Sequence, residues 1–335
     1  MKAPTRILLI RPSALGDVCR SVPLVASLRA QWPDTPIDWL VNAPFLDAVR
    51  AHPAVDRAVP FDRSRVGRSP RALKQLGAAL AEAGYSIVID AQGLARSAAL
   101  AALTRAPIRV GHADARELGW LALTHPVAQG ASQHTVDRML GLLAPLGVPP
   151  LIDMRLYAPP ECQEAVEADT DLSGSPIVLA PTSIWPGKQW PIDRFTQLAH
   201  RLADEGIGPV VVVGTDAEKA ECQQLLQGPV SDRMGRTSVG GLMALIERAA
   251  CVVANDSAAL HMAVGFDRPA VGLFGPTDVS RVGPYRRDAD VIQASTPAEG
   301  VSHKDERAGR AMMEQISVDL VFKAVLARVG STVAS

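Results

Sequence analysis

The sequence has few cysteines, almost no net charge and no long hydrophobic run, and each shortage removes a class of function. Cys19, Cys162, Cys222 and Cys251 are the only four cysteines in 335 residues. They form no C-x-x-C pair and no metal-ligand spacing. They read as buried free thiols suited to a reducing cytoplasm, not as a disulfide frame or a metal site. A formal net charge of −1 lacks the basic excess of a nucleic-acid-binding protein. The first apolar run, ILLI before Arg11, spans four residues, too few for a signal core or a membrane span. No other segment reaches spanning length. The expected location is the cytosol, with any membrane contact peripheral. A repeat of solenoid period, a low-complexity tract, a G-x-G-x-x-G fingerprint and a P-loop lysine are absent as well. A dinucleotide site of the dehydrogenase kind is thereby disfavoured.

What is present is a rhythm. With 335 residues, 47% of them hydrophobic, the chain exceeds one ordinary core, and two domains are expected. Short apolar runs alternate with amphipathic segments: RILLIRP with DVCRSVPLVASLRAQW, PIDWLVN with PFLDAVRAH, VDRAVPF with PRALKQLGAALAEAG, SIVIDAQG with LARSAALAALTR. Continuous Val/Ile/Leu runs between helices predict a parallel sheet covered on both faces. IRVGH closes this set, and helical stretches follow near residues 116–123 and 133–145. A Pro- and acid-rich stretch then reads as a linker. The rhythm restarts at PIVLAP and runs through VVVGT, CVVANDS and AVGLFGPT, predicting a second doubly wound α/β domain. DVIQASTPAEGVSHKDERAGRAMM reads as loop, and SVDLVFKAVLARVG as a closing helix. Two such domains predict a cleft at the carboxyl ends of their strands, where open α/β sheets bind ligands.

Polar groups recur where those strands end. In RPSALGDV, Asp17 opens a helix, and it reads either as a helix cap or as a base facing the cleft. PTSIWPGKQWP supplies Thr182, Ser183 and Lys188, which suit a diphosphate; the alternative is a surface loop packed down by Trp185 and Trp190. Glu218, after Gly214 and Thr215, fits a ribose contact or a favourable charge in a first helical turn. NDSAALHMA sets Asp256 and Ser257 before a helix beginning at Ala258. His261 lies four residues beyond Ser257, on the same face. In the first half, Asp90, Gln92, Arg96, Ser97 and Arg116 follow two strands. Arg63, Arg65, Arg68 and Arg71 crowd one basic loop, which suits an anionic ligand or is a solvated face.

Taken together, SALGDV, IDAQGLARSAAL, PTSIWPGKQWP and NDSAALHMAVGFDRPAVGLFGPTD resemble, in order and over nearly the whole chain, the heptosyltransferases of glycosyltransferase family nine, the DAQGL segment and the following ARE being most like heptosyltransferase I. The resemblance implies the GT-B architecture, two facing Rossmann-like doubly wound domains, and inverting transfer without a metal or a cofactor. It implies an acceptor-binding domain over residues 1–155, a linker over 156–175, a nucleotide-sugar domain over 176–315 and a C-terminal helix and tail over 316–335. Because both halves are needed for transfer and the linker has few core residues to lock them, the domains are expected to close around the donor. Asp17 is then the general base. Thr182, Ser183, Lys188, Glu218, Asp256, Ser257, Ala258 and His261 hold ADP-heptose, which is a substrate. Arg63, Arg65, Arg68, Gln92, Arg96 and Arg116 meet the acceptor, a lipid-anchored Kdo or heptose glycan at the inner membrane surface. The adenine falls near residues 236–238. Neither nucleic acid nor a stable protein partner is implied. The chain departs from the family pattern at Arg20, where the motif has His, at Ala258, where it has Gly, and at Ile184, where heptosyltransferase I has Thr. Other readings compatible with the same fold are transfer or epimerisation of a different nucleotide sugar, and a binding protein without catalysis.

Overall fold

The computed structural model describes residues 3–172, 174–295 and 305–333. The chain divides into two units, Met1–Tyr157 and Ala158–Ser335. In the first, strands β1 (Ile7–Ile10), β2 (Ile37–Asn42), β3 (Arg57–Phe61), β4 (Ile87–Asp90), β5 (Ile108–His112) and β6 (His125–Val127) form one sheet. Its order is β3-β2-β1-β4-β5-β6, and every pairing is parallel. Ile7 stands in register with Ile37 on one side and Ile87 on the other. The runs ILLI and IVID are buried throughout, as a parallel sheet covered on both faces requires. Leu8, Ile10, Leu40, Val88 and Leu100 pack together in one of its cores. The chain order reverses between β1 and β4, and that switch point is where such sheets open a crevice. A fully buried carboxylate, Asp38, lies near the start of β2. Tyr85 Oη donates to it at 2.6 Å and Arg57 Nη2 at 2.7 Å, and Arg6 chelates it. This acid is satisfied structurally.

The second unit repeats the plan with β7 (Ile177–Ala180), β8 (Val210–Val212), β9 (Ser231–Asp232), β10 (Cys251–Asn255), β11 (Ala270–Phe274) and β12 (Val291–Gln293). Their order is β12-β11-β10-β7-β8-β9, all parallel. Here the switch falls between β7 and β10. Helix Ile192–Asp204 turns Phe195, Leu198, Ala199 and Leu202 onto the sheet. The closing helix Val318–Val333 adds Val321, Phe322 and Val325 to the same core. Trp190 meets Phe195 edge to face at 4.9 Å between ring centroids, a favoured aromatic geometry. No described helix is long and apolar enough to cross a membrane. Cys19, Cys222 and Cys251 are buried, whereas Cys162 is half-buried.

Four sequence expectations differ from the structure. The first sheet does not end at IRVGH: β6 follows, three residues carrying Pro126 at the sheet edge, a place where a strand tolerates proline. The helix expected near 116–123 is a 3-10 turn over Gly119–Ala122. In the stretch 156–175, read as a linker, Pro160–Glu167 is a helix of the second unit. Gln163 Nε2 in that helix donates to Glu247 Oε2 at 2.8 Å. None of its residues is fully buried, and its half-buried apolar pair, Cys162 and Val166, is faint among prolines and acids. The segment read as loop from residue 290 holds edge strand β12 at one end and helix Glu306–Met313 at the other. Residues 296–304 of it lie outside the described residues.

Candidate functional site

Each unit gathers several of its candidate groups at its own switch point. In the first, four residues separate the end of β1 from helix Leu15–Arg20, and Asp17 is the helix's third residue. Asp17 Oδ2 accepts from the Ala14 backbone N–H at 3.3 Å, so the carboxylate does serve the helix start. It does more than that. Arg11 Nη2 lies 2.9 Å from Oδ2, and Arg20 Nη2 lies 2.5 Å from Oδ1. Burial pushes the Asp17 carboxyl up, but the two guanidiniums outweigh it and hold the group below the ordinary carboxylate range. Burial likewise lowers Arg11, and Arg20 adds to that, with Asp17 opposing. Arg11 is anchored from the neighbouring strand, since its Nη1 donates to the Ala91 carbonyl.

The loop after β4 completes this group. Asp90 accepts from Gln92 N at 3.0 Å, Gly93 N at 3.1 Å and Ser97 Oγ at 2.9 Å. Burial nonetheless raises its carboxyl above the ordinary range. Gln92 Oε1 accepts from Ser13 N at 3.2 Å, which ties this loop to the Asp17 loop. Arg116 N donates to Gly93 O at 3.0 Å, bringing the turn after β5 alongside. Arg96 and Arg116 are exposed. The basic stretch is not a loop: Arg63–Arg68 is a short helix capped by Asp62, which accepts from Arg65 N at 2.9 Å. Its arginines are exposed and follow β3 at the sheet edge, two strands from β1. The structure thus brings Asp17, Gln92 and the Arg116 turn together, and sets Arg63, Arg65 and Arg68 apart.

In the second unit the loops after β7 and β10 meet across the switch. Lys188 Nζ lies 2.6 Å from Asp256 Oδ2, both side chains being largely buried. Thr277 Oγ1, after β11, donates to the same oxygen at 3.0 Å. Asn255 clamps the loops, accepting from Trp190 N at 3.0 Å and donating to the Pro181 carbonyl at 2.6 Å. Helix Ala258–Gly265 begins beside this cluster, with Ser257 as N-cap making no side-chain cap bond. The Ser257 hydroxyl is buried and has no hydrogen-bond partner among the described residues, an exception among buried polar groups that calls for a ligand or water. His261 is buried on that helix. Glu218 Oε2 accepts from Thr215 N at 2.7 Å and Thr215 Oγ1 at 2.6 Å, a capping box. Its role in the free protein is therefore local. Gly214 lies between Glu218 and Thr182: a β-carbon there would stand 3.4 Å from Glu218 Oε2, 3.5 Å from Thr182 Oγ1 and 2.6 Å from Met234 Cε.

Four positions escaped the sequence reading. Arg11 and Arg20 contact Asp17 directly, and in the sequence Arg20 stands out only as a departure from a motif. Gly187 and Gly309 press the Lys188 turn against helix Glu306–Met313 so closely that a β-carbon on Gly309 would overlap the Gly187 backbone. Gly309→Ala is therefore expected to push the turn outward. Donor KM should rise by about tenfold or more, since a 1 Å misplacement can cost up to a hundredfold, while acceptor KM stays level. Equal KM values in the variant would show that the turn yields without moving Lys188. Among the described residues, no group of three or more His, Cys, Asp or Glu is arranged to hold a metal ion.

This geometry coincides with a family match. The model of glycosyltransferase family 9 (heptosyltransferase) matches residues 73–311. The chain belongs to that family. The glycosyltransferase is 30% identical over 298 residues to lipopolysaccharide heptosyltransferase 1 of Pseudomonas aeruginosa, covering 84% of this chain and 82% of the relative. It is 26% identical over 337 residues to lipopolysaccharide heptosyltransferase 1 of Escherichia coli K12, covering 93% and 99%. Among solved structures, E. coli ADP-heptose lps heptosyltransferase II aligns with a TM-score of 0.81 at 24% identity, covering 98% and 99%. E. coli heptosyltransferase WaaC with ADP-2-deoxy-2-fluoro heptose aligns at 0.75 and 25% identity, covering 96% and 99%. The fold of this glycosyltransferase is accordingly of the GT-B type, a Rossmann-like sheet in each unit.

Proposed function

We propose that this enzyme transfers heptose from ADP-L-glycero-D-manno-heptose to a Kdo or heptose hydroxyl of the lipopolysaccharide inner core, inverting the anomeric centre without a metal. The observation that carries the reading is the cluster at the β7/β10 switch. It offers a cation, Lys188, a helix start and an unsatisfied buried hydroxyl, Ser257, to one ligand. Those groups suit a diphosphate. In the transition state they stabilise the charge that gathers on the departing ADP, the task a metal performs elsewhere. Thr182, Ser183 and His261 line the same site, and Glu218 exchanges its capping contact for ribose hydroxyls. Ala258 keeps its backbone N–H for the phosphate despite its methyl group.

Asp17 takes the acceptor hydroxyl's proton as the oxygen attacks the anomeric carbon. Gln92, Arg96 and Arg116 orient the acceptor, and Arg63, Arg65 and Arg68 attract its more distant anionic groups. Leu118, Trp120 and Leu121 are 66%, 45% and 63% exposed on the turn that carries Arg116. Large apolar side chains beside arginines suit contact with an anionic bilayer surface, and this supports work at the cytoplasmic face of the inner membrane. The test is a transfer assay with Kdo-containing lipid A, read by mass. ADP-heptose should yield one added heptosyl group, and ADP should bind the free enzyme more tightly than UDP or GDP. Preference for UDP, or no transfer, would remove this donor assignment.

A further inference from the structure

The Asp17 carboxylate is arranged unlike an idle base. Each of its oxygens carries a guanidinium, Arg11 at 2.9 Å and Arg20 at 2.5 Å, and both arginine side chains are nine-tenths buried. Such contacts stabilise the carboxylate anion and make it reluctant to accept a proton; an opposite charge within about 4–6 Å lowers a carboxyl by about 1–3 pH units. A base held this way is weak at the moment it is needed. The two arginines are not equivalent. Arg11 leaves the end of β1 with its backbone N–H on Leu40 O at 3.2 Å and its Nη1 on Ala91 O, so neighbouring strands fix it. Arg20 stands in the last turn of the same six-residue helix as Asp17, three residues on, so this contact is made within one helical turn and not from a neighbouring strand.

We propose that Arg20 is a positioning residue that holds Asp17 in reserve and moves onto an oxyanion of the acceptor, a carboxylate or phosphate, when the acceptor binds. The inference rests on the reading of Asp17 as the base. Three observations lead to it. The guanidiniums of Arg11 and Arg20 oppose each other across a single shared carboxylate, so a second anion between them is welcome. The other acid that Arg11 senses, Asp90, has its oxygens taken by Gln92 N, Gly93 N and Ser97 Oγ and cannot fill that role. The Asp17 side chain itself stays 25% exposed, so a hydroxyl can reach it while Arg20 is drawn aside. The guanidinium fork matches a carboxylate or phosphate in two parallel bonds. In the step that follows, the acceptor oxygen bonds to the anomeric carbon as that carbon's bond to the ADP oxygen breaks. The hydroxyl proton passes to Asp17 Oδ1, and ADP leaves with the electron pair. Binding of the acidic acceptor and release of the base thus become one event, and hydrolysis of the donor by water is suppressed because water carries no anion to release it.

The test compares wild type with Arg20→Gln and Arg20→Lys on three acceptors: Kdo-containing lipid A, its Kdo carboxamide and its dephosphorylated form. Wild type should lose about 10–100-fold in kcat/KM on the acceptor whose relevant oxyanion is removed, the range for a lost charged hydrogen bond. Arg20→Gln should lose less than about fivefold between the same acceptors, because its partner is already gone, with Arg20→Lys in between. The acid limb of kcat/KM in Arg20→Gln should move to higher pH, since one cation fewer raises the base. Donor hydrolysis without acceptor should rise in that variant. Equal penalties on all three acceptors in every variant, with an unmoved acid limb, would overturn the proposal and leave Arg20 as packing. Asp17→Asn, run alongside, keeps the two ideas apart: full activity there removes the base itself, whereas loss there with equal Arg20 penalties removes only the release mechanism.

Discussion

Replacing Asp17 with Asn is expected to lower kcat by about two to four orders of magnitude, the usual worth of a general base, while ADP affinity stays at the wild-type value. Asn keeps the shape and can still accept from Arg11 or Arg20, but it cannot take the hydroxyl proton. The second unit, with Lys188 and the helix from Ala258, is untouched. Two side effects have to be separated from the chemistry. Losing the carboxylate leaves Arg11 and Arg20 facing each other, and breaking a buried ion pair by removing one partner destabilises. The partial exposure of Asp17 softens that cost. A thermal melt beside the kinetics distinguishes a poorer base from a poorer fold. Asp17→Glu is the informative companion. It restores a carboxylate one methylene further out, and a misplacement of about 1 Å alone can cost a hundredfold. Partial recovery in Glu, none in Asn and unchanged ADP binding in both identify proton transfer. If Asn keeps most of the wild-type rate, the proton goes elsewhere.

The parts of this molecule that could be read from the chain are those whose physics is local. ILLI, IVID and CVVA are continuous apolar runs because a doubly covered parallel strand has no polar face, so both sheets and the loops that end their strands were legible. Asp17, Lys188 and Asp256 were legible for the same reason: polar groups at the end of a buried strand have no packing role there. What was hidden depends on contacts distant in sequence. The ion pair of Arg11 with Asp17 looks, in sequence, like an unremarked arginine after a strand. Helix Pro160–Glu167 buries none of its residues fully, and half-buried Cys162 and Val166 leave only a faint trace among prolines and acids. Gly309 is just a glycine in a charged segment until Gly187, more than a hundred residues earlier, comes up against it. Glu218 shows the converse. Its spacing from Thr215 is that of a capping box, and the cap is what the free protein forms.

Removing Lys188 should have the second large effect: Lys188→Ala is expected to lower kcat/KM for the donor by about two to three orders of magnitude, as loss of a charge-stabilising donor does in other active sites. The physical reason is the leaving group. ADP departs with a developing negative charge on its diphosphate, and Lys188 is the ammonium that the β7 loop brings to the helix start at Ser257. In the free protein that ammonium is spoken for by Asp256 at 2.6 Å. Its removal therefore also strands a largely buried carboxylate, with Thr277 Oγ1 as its remaining side-chain donor among the described residues, at a cost to stability of about 3–5 kcal/mol if the pair behaves as fully buried. The double variant Lys188→Ala/Asp256→Asn resolves the ambiguity. Neutralising Asp256 removes the stranded charge, so the melting temperature should return most of the way to wild type. Activity should not return with it, because the ammonium that meets the diphosphate is gone. Lys188→Arg keeps the charge with a bulkier fork and should fall between, retaining ADP binding better than turnover. Should the double variant regain activity together with stability, Lys188 is a structural partner of Asp256, and the charge on the departing ADP is met by other groups.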